Sequence, residues 1–482
     1  MDEILRQSGG ELARRIADRE VTSRQIVDRH IDRVAAVNPG LNAVVQQRFA
    51  QARSEADRCD AALAGTAPDP LPPFFGVPCT IKECFALSGM PNSAGLVARR
   101  DLIANEDATT VARLRAAGAI PIGVTNVPEL CMWMETDNRV YGCTNNPYDR
   151  RRIVGGSSGG EGAIIAAGGS PFGLGSDIGG SIRLPAFFNG IFGHKPTGGL
   201  VPGTGQHPIA ENAALRYLTT GPLARRSEDL MPLLRVLAGP DGRDAGCEAR
   251  VLGDPNAIDI ADLRVVNVLG SGAAMVSRVS ADLRAAQLRC ATALERRGAR
   301  LQTREIPALR NAAEIWSCMM ADAGGTAFAA LLGQGQPIPI LRELGRYLLG
   351  RSAHTFPALA LAAIEDLPTR APQLMARMVA AGAALKAELC ELIGPMGVML
   401  YPTYPRVAPR HGRPMLRPFD WSYTAILNVM ELPVTQVPLG LDRDGLPLGV
   451  QVVGIHGNDH VTIAVARALE TLLGGWVPPG PR

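Results

Sequence analysis

The stretch VGGSSGGEGAIIAAGG, residues 154–169, sets the reading of the whole chain. Gly and Ser dominate its first nine residues, and EGAIIAAGG (161–169) then reads as a short helix. Such a run can be a flexible linker, a phosphate cradle or the floor of an active site. Flexible linkers join domain ends, whereas this run lies between apolar segments and feeds a helix. A phosphate loop needs G-x-x-x-x-G-K-[ST]. Here Glu161 follows Gly160, so the phosphate-neutralising lysine is missing. The dinucleotide pattern G-x-G-x-x-G does not fit either. The pattern G-x-S-x-G does fit, in two registers centred on Ser157 and Ser158; it can present a nucleophilic serine at a strand-to-helix turn. In a chain with 53 glycines a short match of this kind arises easily by chance.

Downstream, GLGSDIGGSIRLPAFFNGIFGHKPT (173–197) again sets a serine among glycines, at Gly179-Gly180-Ser181. Glycines before a nucleophile let the backbone approach a substrate carbonyl and aim N–H groups at it, as an oxyanion hole requires. Taken alone, the segment reads more readily as a tight turn followed by a buried strand.

Outward from these runs, helices alternate with strands. Residues 11–37 read as two amphipathic helices, the second opening on a capping box at Thr22 and Gln25. Residues 50–64 continue helical, and GTAPDPLPP (65–73) ends them as a loop. FFGVPCTIKECFAL reads as a buried strand ending near Lys82. Over 107–125 the pattern is a helix capped by Asp107 and stopped at Gly118, then the strand AIPIGV. The helix–Gly–strand pattern recurs over 281–306, and GVMLYP (397–402) is a strand. PVTQVPLGLDRDGLPLGVQVVG gives two strands across an Asp-Gly turn, hence an antiparallel pair, and a final helix runs from about His460 to Leu473. The fold class is α/β, a single domain with a large mixed β-sheet covered by helices on both faces.

Composition narrows the function. The 482 residues are 46% hydrophobic and 20% charged, as in a globular protein with a substantial core. A net charge of +3 with no dense Lys/Arg stripe argues against a nucleic-acid partner. The charged N-terminus is not a secretory signal, and no window approaches 18 consecutive apolar residues, so no transmembrane segment is expected. Nine cysteines lie scattered without zinc-ligand spacing, which reads as reduced cytoplasmic thiols serving mostly as core filler. Of 49 basic residues only Lys82, Lys195 and Lys386 are lysine. Lysine can give up its proton when buried and arginine cannot, so these positions are candidates for a lysine-specific task.

Together, Lys82 in GVPCTIKECF, the GGSSGG run and DIGGSIR resemble the amidase signature family of serine hydrolases, of which these runs are the defining motif. Ser157 and Ser181 stand 24 positions apart (181 minus 157), as in that family. TNVPELCMW, NNPYDRRRIVGGSSGGEGA, PAFFNGIFGHKPT, LYPTYPRVAP and LPVTQVPLGLDRDGLPLGVQVVG are similar to the branch containing fatty acid amide hydrolases of the second vertebrate type. The likeness runs from about residue 10 to 478. Those vertebrate enzymes carry an N-terminal membrane helix, and no such run is present here.

The resemblance implies one amidase-signature domain over 1–482. It divides into N-terminal helices (1–65), a catalytic core (66–330), a helical cap or lid candidate (331–395) and a return to the core sheet (396–482). It implies a Ser-cisSer-Lys triad: Ser181 attacks, Ser157 relays the proton, and Lys82 is the base, which must start neutral. The implied oxyanion donors are the N–H groups of Ile178, Gly179, Gly180 and Ser181. Cys131, Met132, Trp133 and Met134 would line the acyl pocket, with core packing the plainer reading. Ser158 would bond nearby backbone, Asp177 and Arg183 would pair to shape the loop, and Lys195 would be structural. His456 and His460 suit surface or capping roles, although a conventional Ser157/Ser158–His460 hydrolase stays open, as does an ammonia-generating amidotransferase subunit. The substrate would be a small-molecule amide, ester or carbamate, and no metal or organic cofactor would be needed. Segment 339–367 is a candidate lid, membrane-touching cap or dimer face, so peripheral membrane contact and a homodimer also stay open.

Overall fold

The computed structural model describes residues 2–65 and 70–480. Residues 66–69, within the loop expected at 65–73, lie outside them. Among the described residues the strands are β1 (Val44–Gln47), β2 (Pro78–Lys82), β3 (Ile120–Thr125), β4 (Phe172–Asp177), β5 (Phe192–Lys195), β6 (Thr219–Ala224), β7 (Arg264–Asn267), β8 (Arg300–Thr303), β9 (Gly397–Tyr401), β10 (Val434–Leu441) and β11 (Pro447–Val453). They form one sheet in the order β1-β3-β2-β4-β6-β5-β10-β11-β9-β7-β8. β2 runs parallel to both β3 and β4, β7 runs parallel to both β8 and β9, and the centre is antiparallel. The sheet is therefore mixed and helices flank it, as the alternation of elements implied.

Both faces of the sheet are buried, because successive side chains of a strand point to opposite sides. On β9, Val398 and Leu400 join one apolar cluster while Met399 and Tyr401 join another. On the other half of the sheet, Ile120 and Ile122 of β3 pack with Ile164 and Ile165. Those isoleucines belong to the helix Gly159–Ala166, every residue of which is buried. A helix buried on every side can only sit inside a core, which excludes the linker reading of the Gly/Ser run that feeds it.

Local signals set some boundaries. Helix Ser23–Leu41 opens on the expected capping box, with Thr22 and Gln25 bonding reciprocally. β10 and β11 pair antiparallel across the turn holding Asp444-Gly445. The cap expected at Asp107 is corrected: helix Thr109–Ala116 has Ala108 at its N-cap and no side-chain cap. Asp107 instead accepts from the Ser88 N–H at 2.8 Å and pairs with Arg115 at 2.7 Å. Two charge-assisted bonds outcompete one cap.

Candidate active site

β2 and β4 are parallel neighbours, and their C-terminal ends carry the first part of the site. Lys82 closes β2 and is completely buried. Its Nζ donates to Ser157 Oγ at 2.8 Å and to Ser176 Oγ at 2.9 Å, with Ser176 O at 3.5 Å. These partners are all serine oxygens, and among the described residues no carboxylate pairs with this amine. Ser157 is 1% exposed and follows a cis Gly156–Ser157 peptide bond. A Cβ at Gly156 would overlap the Trp133 carbonyl oxygen, so only glycine lets this strand of backbone pass.

Ser181 lies between β4 and helix Arg183–Phe188, and its segment abuts the first serine run: the Ser158 N–H donates to Ser181 O at 3.1 Å. Unlike Ser157, Ser181 is only partly buried, and its hydroxyl makes no hydrogen bond among the described residues. The arrangement thus has a sealed Lys–Ser pair and an open serine beside it. Catalytic hydrogen bonds commonly tighten only once substrate is bound.

The four N–H groups expected to face an oxyanion are not equivalent. Gly180 is buried at φ 124°, and its N–H donates to Asp177 Oδ1 at 2.6 Å. Its peptide is also held at the other end, where Gly179 O accepts from Thr424 Oγ1 at 2.7 Å. This corrects the expectation for Gly180, whose donor is committed to the loop. Ile178, Gly179 and Ser181 are partly exposed, and among the described residues their N–H groups have no protein acceptor. The Ile178 carbonyl accepts from Trp316 Nε1 at 3.0 Å. In a trans peptide the N–H points opposite to the C=O, so this bond aims the Gly179 N–H away from Trp316. Trp421 stacks edge-on against Trp316, with ring centroids 4.8 Å apart.

Asp177 and Arg183 form a fully buried pair at 2.9 Å. Burial alone would raise the Asp177 carboxyl, but the Arg183 charge and its hydrogen bonds hold it well below the usual carboxylate range. Arg183 also reaches Thr424 O, Gln451 and Asn428, which ties the loop to the far side of the sheet. Ser158 Oγ lies 3.4 Å from Ser176 O, a backbone contact. Lys195 is buried with Pro196 O as its hydrogen-bond partner, and burial followed by the Arg183 charge lowers it to about 7.

Near Lys82 sits Glu161, fully buried and accepting from Thr80 Oγ1 at 2.6 Å and Thr125 Oγ1 at 2.9 Å. Burial raises its carboxyl to about 8, against the opposing pull of both hydroxyls and the Lys82 charge.

The segment 131–134 packs its backbone against Gly156. Cys131 and Met134 are buried, whereas Met132 and Trp133 are half-buried. Leu130 and Cys131 both adopt left-handed backbone (φ 49° and 60°), a costly conformation for residues with side chains that makes a sharp elbow here. Segment 339–367 is anchored onto this elbow: Glu129 accepts from Thr355 N–H at 2.7 Å and meets His354 Nδ1 at 2.7 Å. Around that anchor the segment is divided: Leu341, Leu348 and Leu349 are 87%, 85% and 71% exposed, whereas Ala358, Leu359 and Ala362 are buried in the core. His456 faces Arg216 and Glu431, and His460 packs against Gly253; neither meets a serine of the site.

Ser176, Glu161, Trp316 and Thr424 were not singled out from sequence. Ser176 carried a faint signal, a serine one residue from a strand end in GLGSD. Glu161 stands in the quoted serine run itself, whereas Trp316 and Thr424 reach the site from elements whose placement only folding sets.

The profile of the Amidase family matches residues 25–463. The chain is similar to fatty-acid amide hydrolase 2 of Homo sapiens, with 45% identity covering 99% of this chain and 91% of that protein. It is also similar to the acylamidase of Rhodococcus erythropolis, at 30% identity covering 96% of this chain and 95% of that protein. Among solved structures, 6-aminohexanoate cyclic dimer hydrolase superposes with a TM-score of 0.80 at 27% identity, covering 98% of both chains.

Proposed function

The chain belongs to the amidase family and is an amide-hydrolysing enzyme, and from that premise we propose that it cleaves its substrates through an acyl-enzyme on Ser181, Ser157 and Lys82. Ser181 Oγ attacks the carbonyl carbon while its proton passes to Ser157 and the Ser157 proton passes to Lys82. A serine hydroxyl needs such a base to become nucleophilic. The N–H groups of Ile178, Gly179 and Ser181 receive the developing oxyanion, a stabilisation worth about 2.7–4 kcal/mol per donor. The C–N bond then breaks as the same relay returns the proton to the leaving nitrogen. Water hydrolyses the ester on Ser181 by the reverse sequence. The observation that carries this reading is the 2.8 Å contact between a buried, carboxylate-free Lys82 and Ser157.

The substrate class is an amide with an extended apolar acyl group; esters and carbamates are open to the same attack. Supporting this are the apolar elbow at 131–134, the Trp316–Trp421 pair beside Gly179 and the likeness to a fatty-acid amide hydrolase. Segment 339–367, pinned to Glu129, is read as the cover of that pocket.

The test is hydrolysis of p-nitroanilides with acyl chains from acetyl to dodecanoyl, by the chain without any partner protein. Wild type cleaves them with a rate rising towards longer chains, and Ser181→Ala and Lys82→Ala do not. Mass spectrometry of enzyme quenched during turnover finds the acyl group on Ser181. Full activity in Ser181→Ala, or acylation of Ser157 or Ser158, overturns the triad. Inertness of wild type towards every anilide overturns the stand-alone amidase reading in favour of an amidotransferase that works only within a complex.

A further inference from the structure

Outside the site, three chemically reactive side chains converge near the surface: Glu135, Cys143 and His411, whose ligand atoms all lie within 4.8 Å of one another. His411 Nδ1 is 3.5 Å from Cys143 Sγ and 2.8 Å from Glu135 Oε1. The other ring nitrogen, Nε2, faces the Arg150 carbonyl oxygen at 3.3 Å. A carbonyl can only accept, so Nε2 carries a hydrogen. In the neutral ring Nδ1 is then a lone pair, and it faces a thiol sulfur and a carboxylate oxygen. Three potential ligand atoms meet at one point, where either a proton on Nδ1 or a metal ion can sit between them. A proton on Nδ1 points to the Glu135 carboxylate at 2.8 Å, and the Cys143 thiol reaches the Thr144 carbonyl at 3.7 Å, so the sulfur is only weakly held without a metal.

We propose that Glu135, Cys143 and His411 form a binding site for a zinc-class divalent cation that clamps the pocket-side loops together. The donor set of one thiolate, one imidazole and one carboxylate suits a borderline-soft metal of tetrahedral preference. Bonds of about 2.3 Å to sulfur and about 2.0 Å to nitrogen at a tetrahedral angle set S and N roughly 3.5 Å apart, which is the separation found here. The carboxylate oxygen has to withdraw from Nδ1 by roughly half an ångström to reach the same geometry. Its orientation is already fixed, since Gly412 N–H donates to Oε2 at 3.0 Å and lies 3.3 Å from Oε1. A backbone carbonyl holding the far nitrogen of a ligating histidine is the usual outer support of such a site. Binding expels the thiol proton to solvent and leaves the fourth position to water.

The placement gives the cation a mechanical role. Glu135 follows Met134 directly, and the next residue, Thr136, holds Gly155 O at 2.8 Å, next to the serine run. Thr144, after Cys143, donates its N–H to Thr136 O. His411 N–H donates to Arg151 O, and Arg410 bridges to Arg152, just before the same run. A bound cation therefore fastens three segments to one another, of which the Thr136 segment touches Gly155 and the His411 segment meets Arg151 and Arg152 shortly before it.

The experiment is titration of the purified, chelator-treated full chain with Co(II), read by absorption, alongside thermal unfolding with and without Zn(II). Wild type takes up one equivalent and develops a thiolate-to-cobalt charge-transfer band with the visible bands of a four-coordinate ion, and Zn(II) raises Tm. Cys143→Ser loses the charge-transfer band, and His411→Ala loses the stoichiometric uptake. Both variants abolish the Zn(II) shift in Tm, while their metal-free anilidase activity stays within twofold of wild type. The proposal is overturned if wild type shows no such band at one equivalent, or if the band persists in Cys143→Ser. It is equally overturned if Glu135→Gln and His411→Ala lower Tm alike and Zn(II) has no effect on wild type. That outcome marks a plain imidazolium–carboxylate pair.

Discussion

Replacing Glu161 by Gln removes a pH dependence of stability that the buried carboxyl imposes on the floor of the site. Glu161 joins helix Gly159–Ala166 to β2 and β3 through Thr80 and Thr125. It fits because β4 has glycine at 173, where a Cβ would overlap Glu161 Oε2. Its carboxyl is raised from 4.5 to about 8 in the fold, chiefly by burial. Between those values the folded chain binds a proton that the unfolded chain has released, so stability falls as pH rises. The interval of 3.5 units (8 minus 4.5), at about 1.4 kcal/mol per unit, makes this contribution on the order of 5 kcal/mol. It is fully present below about pH 4.5 and lost by about pH 8. Other groups act in the opposite sense: burial holds His30 near 3 and Lys195 near 7, so both favour folding as pH rises. The total profile therefore mixes signs, and the difference between wild type and Glu161→Gln isolates the one carboxyl. The glutamine amide donates to one threonine as the protonated acid does, at a cost that does not vary with pH. The assay is urea unfolding of both proteins from pH 4.5 to 8.5. The wild-type advantage should shrink by several kcal/mol across that range. A difference constant to within about 1 kcal/mol would refute the argument that Glu161 folds as the neutral acid.

Trp316→Phe keeps the ring stack but leaves the Ile178 carbonyl without its donor. At about 1–3 kcal/mol for an unmade bond, kcat on anilides should fall roughly tenfold or more with KM little changed; a change in KM alone would assign Trp316 to substrate contact instead. Asp177→Ala strands the Arg183 charge in the core and should cost about 3–5 kcal/mol in urea unfolding; a loss under about 1 kcal/mol would mean the pair adds nothing to loop stability. The double variant Leu341→Glu, Leu348→Glu should unfold within about 0.5 kcal/mol of wild type, because both side chains are exposed, and should slow long-chain anilides more than acetyl anilide. A stability loss that depends on protein concentration would instead mark this face as a contact between copies of the chain.

Sequence alone determined the elements whose causes are local. The Thr22–Gln25 box, the Asp-Gly hairpin and the buried strand ending at Lys82 each depend on residues a few positions apart, and each formed where expected. Repetition of serine among glycines, with rare lysines, also drew attention to Ser157, Ser181 and Lys82. Two of the three lysines, Lys82 and Lys195, proved fully buried. Tertiary structure decided everything that depends on which distant segments meet. Asp107 lost its capping role to Ser88 and Arg115, and Gly180 lost its free N–H to Asp177. Ser176 became a partner of Lys82 only because β4 lies beside β2, and Trp316 reached Ile178 from 138 positions away. The meeting of Glu135 with His411 spans 276 positions. Such contacts leave no periodic trace in the sequence: a capping or turn preference is set by neighbouring backbone, whereas a long-range hydrogen bond exists only once sheet order has brought its two ends together.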